Sequence, residues 1–404
     1  MNTVVEQAKQ HIIEQRDPIL SFFREIVAIP SMESDIEAVG ARVGAEMRKL
    51  GFDEVYTDRY GSIVGRIGNG PRILLYDSHL DTVGIGDRAQ WAWDPFEGKV
   101  EEGRLYARGA LDEKGSTPGM IYGMALARQL GLLANFTLYY LGNIEEWCDG
   151  IACAAFHDWE GVRPDMVVIG EPTNMKVYRG HKGRVELEVS CRGVSAHAAS
   201  NYLGDNAIYK MLPLIEGISR LEEQFVPDDF LGIGRITVTR IGSRAASDNA
   251  VPEECRIFID RRVTFGESRE SVIAEIEALI PAEQREVFEI HTLTYRTPSH
   301  TGAVYEYEQY FPAWALDKQH PLVRAGEALL HELWQVADVA GQGKWDFSTN
   351  GNYWAGKLGI PCIGFGPGNE IYAHAINEHV PLDDVVDATL FYALLPWMLD
   401  REGR

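Results

Sequence analysis

The stretch YDSHLDTVG, residues 76–84, follows the apolar run RILLY and at once presents His79 and Asp81. In an extended segment, side chains two apart share a face, so this pair can act together. Other apolar runs end in the same manner. FTLYYLGNI is followed by Glu145 and Glu146, DMVVIG by Glu171, and IPCIGFGPG by NEIYAHAINEH, which carries His374. A glycine-rich loop between the first two, ARGALDEKGS, holds Asp112. Taken singly, these are a loop histidine, a solvated charge pair, a helix-capping glutamate before Pro172 and a surface histidine. Their recurrence after successive apolar runs is the signal, because open α/β sheets bind ligands outside the carboxyl ends of their strands. Crowded carboxylates repel one another. Arg108 and Lys114 could offset them in part. A mixed set of imidazoles and carboxylates suits a divalent transition metal, chiefly zinc, with cobalt or manganese also accommodated. Enough ligands are present for two ions sharing a carboxylate.

The elements that must position these groups are legible as patterns. VVEQAKQHIIEQRDPILSFFREIVAIPS has apolar residues at helical spacing, with Pro18 expected at a junction between two helices. DIEAVGARVGAEMRKLGF reads as a further helix closed near Gly51. SIVGRIG, RILLYDS, FTLYYLGN, DMVVIG and IPCIGFG read as strands, alternating with helices such as EKGSTPGMIYGMALARQLGL. Near-continuous apolar strands between helices predict an α/β domain with a mainly parallel sheet covered on both faces. From about 179 to 295 the pattern changes. GRVELEVSCRG, GRITVTRIGS and ECRIFIDRRV alternate apolar and polar residues, as half-exposed antiparallel strands do. NAIYKMLPLIEGISRLEEQF and SRESVIAEIEALI, lying among them, are amphipathic helices. The expectation is therefore a catalytic α/β domain over 1–178 and 296–404, and an inserted α+β unit over 179–295, an antiparallel sheet on two helices. Insertion at a surface loop is physically cheap.

Composition narrows the classes. The chain has 404 residues, 45% hydrophobic and 24% charged, which suits two or three packed domains. Its net charge of −22 argues against nucleic acid or an anionic membrane surface as partner. Five cysteines without CxxC pairing make no disulfide framework and fit a reduced, cytoplasmic setting. No opening signal peptide and no bilayer-length apolar run is present in the sequence.

SHLDTV, ARGALDEKGS, NIEE, IGEP and HAINE, in this order and spacing, resemble the dinuclear zinc amidohydrolases. That family includes aminoacylase, acetylornithine deacetylase, succinyl-diaminopimelate desuccinylase and carboxypeptidase G. VYRG, GDNAI, IDRR, KWDFSTNG and IGFGPG resemble most closely its subgroup linked to selenium metabolism. The resemblance implies residue roles. Asp112 would bridge two metals, with His79 and Glu171 completing one site and Glu146 and His374 the other. Asp81 would orient the His79 imidazole. Glu145 would be the general base. In the inserted unit, His197 would reach a partner subunit's site and stabilise the oxyanion. Asn249 and Arg262 would hold the substrate, with Arg261 next door as the other register, and Thr349 would be a further substrate contact. Asn350, in STNG, stands where many relatives have Asp. That departure argues against carrying over specificity for a cationic substrate.

The implied protein is a homodimeric hydrolase acting on a small N-acyl amino acid. A dipeptidase or carboxypeptidase would use the same site. A silent metal-binding scaffold has no need of Glu145, and a dinuclear phosphoesterase would need basic residues that this acidic chain lacks.

Overall fold

The computed structural model describes residues 2–32, 36–148, 150–336 and 343–402. Its larger sheet has nine strands. Four central neighbours are parallel: Phe136–Asn143, Arg72–His79, Met166–Ile169 and Cys362–Gly364. They are apolar almost throughout and nearly all buried, as strands covered on both faces must be. The flanks are antiparallel except for Gly343–Trp345, which pairs in parallel with Tyr178–His181. Ile63–Gly68 pairs with Phe136–Asn143 and Glu54–Thr57 lies outside it. On the other side Tyr178–His181 runs against Cys362–Gly364 and is followed by Trp314–Ala315. The expected mainly parallel sheet is thus a mixed one with a parallel centre, because a residue pattern reports burial and not the direction of the neighbouring strand.

Helices Asn2–Val27, Ser116–Gln129, Pro321–Trp334 and Leu382–Glu402 pack in one core with this sheet. Two helices approach closely at Gly123, where an added Cβ would stand 3.0 Å from the Thr389 carbonyl. The expected break at Pro18 does not occur. One helix runs through it. Pro18 forfeits one backbone hydrogen bond, but Ile12, Ile19, Phe22, Phe23 and Ile26 bury both halves in the same core.

The second sheet is antiparallel, in the order Arg235–Arg244, Glu254–Val263, Gly183–Arg192 and Phe288–Thr292, with Tyr310–Phe311 also pairing with Gly183–Arg192. Alternation along Gly183–Arg192 buries Val185, Leu187, Val189 and Cys191. These meet Met211, Leu214 and Ile218 of helix Ala207–Leu221 and Val272 and Ile276 of helix Arg269–Leu279 in a separate core. Both helices start where the sequence dictates. Asn206 and Ser268 each accept a hydrogen bond from the first-turn backbone. The chain crosses between the sheets at Lys182, flanked by His181 of one and Gly183 of the other. Gly183 is required there by space, since a Cβ would fall 2.5 Å from Ala313 N. No helix among the described residues is long and apolar enough to cross a membrane.

Candidate metal centre and cleft

Strand register sets the ends of the central strands level. His79 pairs with Asn143, and Asp77 with Ile169, which in turn pairs with Gly364. The residues that follow therefore share one edge of the sheet. Asp112 joins them from the loop that leads into helix Ser116–Gln129. Its Oδ1 lies 2.9 Å from His79 Nε2 and its Oδ2 3.0 Å from His374 Nε2. Each carboxylate oxygen thus addresses one imidazole. Glu171 Oε1 is 3.7 Å from His79 Nε2.

The tautomer of His79 follows from its other nitrogen. Nδ1 is 2.8 Å from the Asp81 carbonyl, which can only accept, so Nδ1 carries the hydrogen. Neutral His79 then turns the Nε2 lone pair toward two carboxylates. A lone pair among carboxylate oxygens requires a cation between them or a proton on the ring. Correspondingly, His79 is pushed well above its ordinary value. Burial opposes this, but the charges of Glu113 and Asp112 outweigh it. Asp112 is held well below the carboxylate range: burial works against this, and its bonds to His374 and His79 prevail.

Asp81 contacts the His79 ring. The atom that holds the imidazole is its backbone oxygen, while the carboxylate stands 3.7 Å from Nδ1. The other carboxylate oxygen accepts from the backbone N–H of Glu146 at 3.2 Å. Burial raises the Asp81 carboxyl to about 6, against the pull of His79. Glu145 is fully buried beside Glu146, and Tyr60 donates its hydroxyl to Glu145 Oε2 at 2.5 Å. Glu145 adopts φ +56°, a left-handed conformation rare outside glycine and typical of functional turns.

Several contributors were not foreseen. Glu113 is buried, accepts from the His79 backbone N–H, and lies with Glu171 and His79 in a set of ligand atoms within 4.8 Å of one another. Burial drives Glu113 and Glu171 well above the carboxylate range; the charges of Glu113 and Asp112 add to this at Glu171, whereas His79 opposes it at Glu113. Glu378 fixes the Asp112 loop by accepting from the N–H groups of Leu111 and Asp112 at 2.9 and 3.1 Å. Arg108 pairs with Glu378 at 2.6 Å, and Lys114 donates to the carbonyls of Ile26 and Ile29. The hydrogen bonds of these two cations thus go to Glu378 and to backbone carbonyls rather than to Asp112, Glu145 or Glu171. The paired acids of LDEKG and the last residue of HAINE were the available signals.

The donor set fits a divalent cation. Glu171 Oε2, Glu113 Oε2 and Asp81 Oδ1 are buried with no hydrogen-bond partner among the described residues. Native interiors rarely leave such atoms unpaired. Two imidazoles and several carboxylates, one addressing both rings, suit Zn²⁺, Mn²⁺ or Co²⁺.

The inserted unit is arranged differently. His197 and Asn249 are exposed and meet each other, with 3.5 Å between Asn249 Nδ2 and His197 Nε2. Neither bonds to the centre above among the described residues. The two arginines divide cleanly. Arg261 is buried beside Glu267 and Glu275, its guanidinium 3.8 Å over the Phe225 ring. Arg262 lies on the other face, bidentate on Asp260, with Nη1 donating to Ser348 at 2.8 Å. Thr349 is fully buried and its hydroxyl stands 3.0 Å from His181 Nε2. Asn350 is also buried and donates to Asp77 at 3.2 Å. The amide therefore faces a carboxyl group beneath the loop, whose pKa burial raises.

The fold and centre define a metal-dependent hydrolase of amide bonds. Residues 75–397 match the family model described as peptidase family M20/M25/M40, and the chain belongs to that family. It is 41% identical over 394 residues to the uncharacterized protein YgeY of Escherichia coli (strain K12), covering 97% of this chain and 96% of that one. It is 24% identical over 417 residues to the N-formyl-4-amino-5-aminomethyl-2-methylpyrimidine deformylase of Bacillus subtilis (strain 168), covering 95% and 93% of the two. In fold it is similar to the M20 family metallo-carboxypeptidase Sso-CP2 of Sulfolobus solfataricus, with a TM-score of 0.74 at 16% identity over 94% of this chain and 99% of that one.

Proposed function

We propose that the protein is a deacylase, hydrolysing the amide that links an acyl group to an amino acid and releasing a carboxylate and a free amine. The observation that carries the reading is the pairing of a cation-seeking centre with a separate buried acid, Glu145, held by Tyr60 at its edge. Asp112 would bridge two divalent ions, zinc for preference, with His79 and Glu171 on one and Glu146 and His374 on the other. When bound, such ions lower the pKa of water and polarise a carbonyl. Glu145 takes a proton from the attacking water and returns it to the departing amine nitrogen. Asp81 fixes the His79 ring through its carbonyl. Asn249 and Arg262 hold the substrate, Arg262 gripping its carboxylate.

His197 would serve the site of a second subunit as an oxyanion donor. Two features support a dimer through the inserted sheet. Arg235–Arg244 is an exposed edge strand, and such edges are commonly paired or covered. Near His197, Val194, Tyr202, Leu203 and Tyr209 are large apolar residues left exposed. A dipeptidase reading rests on the same Arg262 and Glu145, and a solved relative in fold is a dipeptidase of Saccharomyces cerevisiae. The test is a panel of N-acetyl, N-succinyl, N-formyl and N-carbamoyl amino acids beside dipeptides, run with added Zn²⁺, Mn²⁺ and Co²⁺. Faster turnover of acyl amino acids supports deacylation. Preference for dipeptides transfers the assignment, and no amide hydrolysis under any metal contradicts both.

A further inference from the structure

Among the described residues, Trp147 is the one exposed tryptophan of nine, at 47%. It directly follows Glu145 and Glu146, in the turn after strand Phe136–Asn143. A folded chain seldom leaves an indole in water, and where it does the ring commonly meets a ligand or partner. The neighbours of Trp147 say which part of the molecule it faces. Its ring meets Tyr295 edge-on, with centroids 5.1 Å apart and planes at 87°. Tyr295 stands beside Glu145: burial first, and then the Glu145 charge, pushes its phenol up. The Trp147 backbone oxygen accepts from Arg184 Nη1 at 3.4 Å. Arg184 is the register partner of Arg262, and both bond Asp260. Trp147 therefore lies between the buried acid of the large sheet and the arginine pair of the inserted unit.

Those two flanks handle the two ends of one product. Glu145 returns a proton to the departing amine nitrogen, and Arg262 grips the carboxylate. In an α-amino acid the nitrogen, the carboxylate and the side chain all leave the same carbon. A molecule held at its nitrogen from one flank and at its carboxylate from the other directs its side chain toward what stands beside both, and Trp147 does. The acyl group lies across the scissile bond, away from Arg262. The indole and the edge of Tyr295 offer a flat apolar wall. An aromatic or large apolar side chain gains from covering such a wall, whereas a charged one must shed water to do so.

We propose that Trp147, with Tyr295 at its edge, forms the subsite for the side chain of the departing amino acid, and that the substrates are N-acyl derivatives of amino acids with aromatic or large apolar side chains. The inference rests on the deacylase reading and names the substrate class of that same site. Trp147 takes no part in the proton transfers. It determines which amino acid is held while they occur.

Trp147→Ala and Trp147→Phe are compared with wild type on N-acetyl-L-phenylalanine, Nα-acetyl-L-lysine, N-acetylglycine and N-hexanoylglycine. Wild type should prefer the phenylalanine derivative. Trp147→Ala is expected to lower kcat/KM on that probe about 10- to 100-fold, chiefly through KM, as for the loss of one wall of an apolar pocket. The two glycine derivatives, which have no side chain to place, should change little, and Trp147→Phe should retain most of the activity. The selectivity between phenylalanine and glycine is measured within each variant, so a general loss of folded or metal-loaded protein does not move it. Equal losses on phenylalanine and glycine probes, a loss confined to the hexanoyl probe, a wild type that favours glycine or lysine, or no loss at all overturns the proposal. So does a Trp147→Phe loss as large as that of Trp147→Ala. If wild type hydrolyses none of the four probes, the deacylase reading fails. Calorimetric binding of N-acetyl-L-phenylalanine then still decides on Trp147. A Kd at least about tenfold weaker in Trp147→Ala supports the subsite, and an equal Kd, or no binding by wild type, overturns it.

Discussion

The edge of the large sheet and the inserted unit present chemical groups in opposite ways. At the sheet edge, the acids and the His79 imidazole are mostly buried, crowded and cross-braced, and His374 reaches Asp112 from an exposed position. Glu378 holds the Asp112 loop, the Asp81 carbonyl holds His79, and Tyr60 holds Glu145. In the inserted unit, His197 and Asn249 lie exposed, and Arg262 is occupied by Asp260 and Ser348. One region is assembled before a ligand arrives. The other carries groups that still lack their target. Preorganised electrostatics and movable recognition are separate demands, and on the proposed function this chain would place them on its two separate cores.

If the comparison is right, the largest effect comes from the braced region. Glu145→Gln should lower turnover by about 10²–10⁴-fold while elemental analysis finds the bound metal retained. Loss of metal would make Glu145 a ligand, and near-normal turnover would remove it as the base. In the recognition unit, His197→Ala should cost about 10²–10³-fold in turnover, with metal content and Tm unaltered. The two neighbouring arginines sharpen the contrast further. Arg261→Ala breaks a buried pairing and should destabilise by about 3–5 kcal/mol in denaturant unfolding. Arg262→Ala should leave unfolding nearly unchanged and raise KM for carboxylate substrates. The reverse pattern would exchange their assignments. The smallest effect is expected at the brace itself. Tyr60→Phe removes one hydrogen bond to a charged acid and should lower kcat by about 10-fold, leaving KM and metal content alone. An unchanged kcat would make that contact structural.

How far the sequence was legible follows the same division. His79, Asp112, Glu145, Glu146, Glu171 and His374 could be picked out because each follows an apolar strand or lies in a glycine-rich loop, which are local patterns. Glu113 was hidden because its neighbour Asp112 offered a sufficient carboxylate, and only the fold turns both inward. Tyr60 and Glu378 act across 85 and 266 residues of chain, distances at which no residue pattern speaks. The parallel centre is legible in its apolar strands, but the antiparallel neighbours are not, because burial on both faces looks alike for either strand direction. Pro18 was read as a break because its local cost was visible and the packing that offsets it was not. In the inserted unit, alternation fixed strands and helices, and register alone separated Arg261 from Arg262.

The central claim, that exposed groups of one subunit complete the braced centre of another, is tested most directly by complementation. Inactive His197→Ala and inactive Glu145→Gln proteins are mixed under conditions that exchange subunits, and turnover is measured. If His197 acts across a two-fold dimer, half of the dimers are mixed, each has one intact site, and activity returns to about a quarter of wild type. If His197 serves its own chain, or the active protein is a monomer, every site remains broken or unshared, and mixing restores nothing.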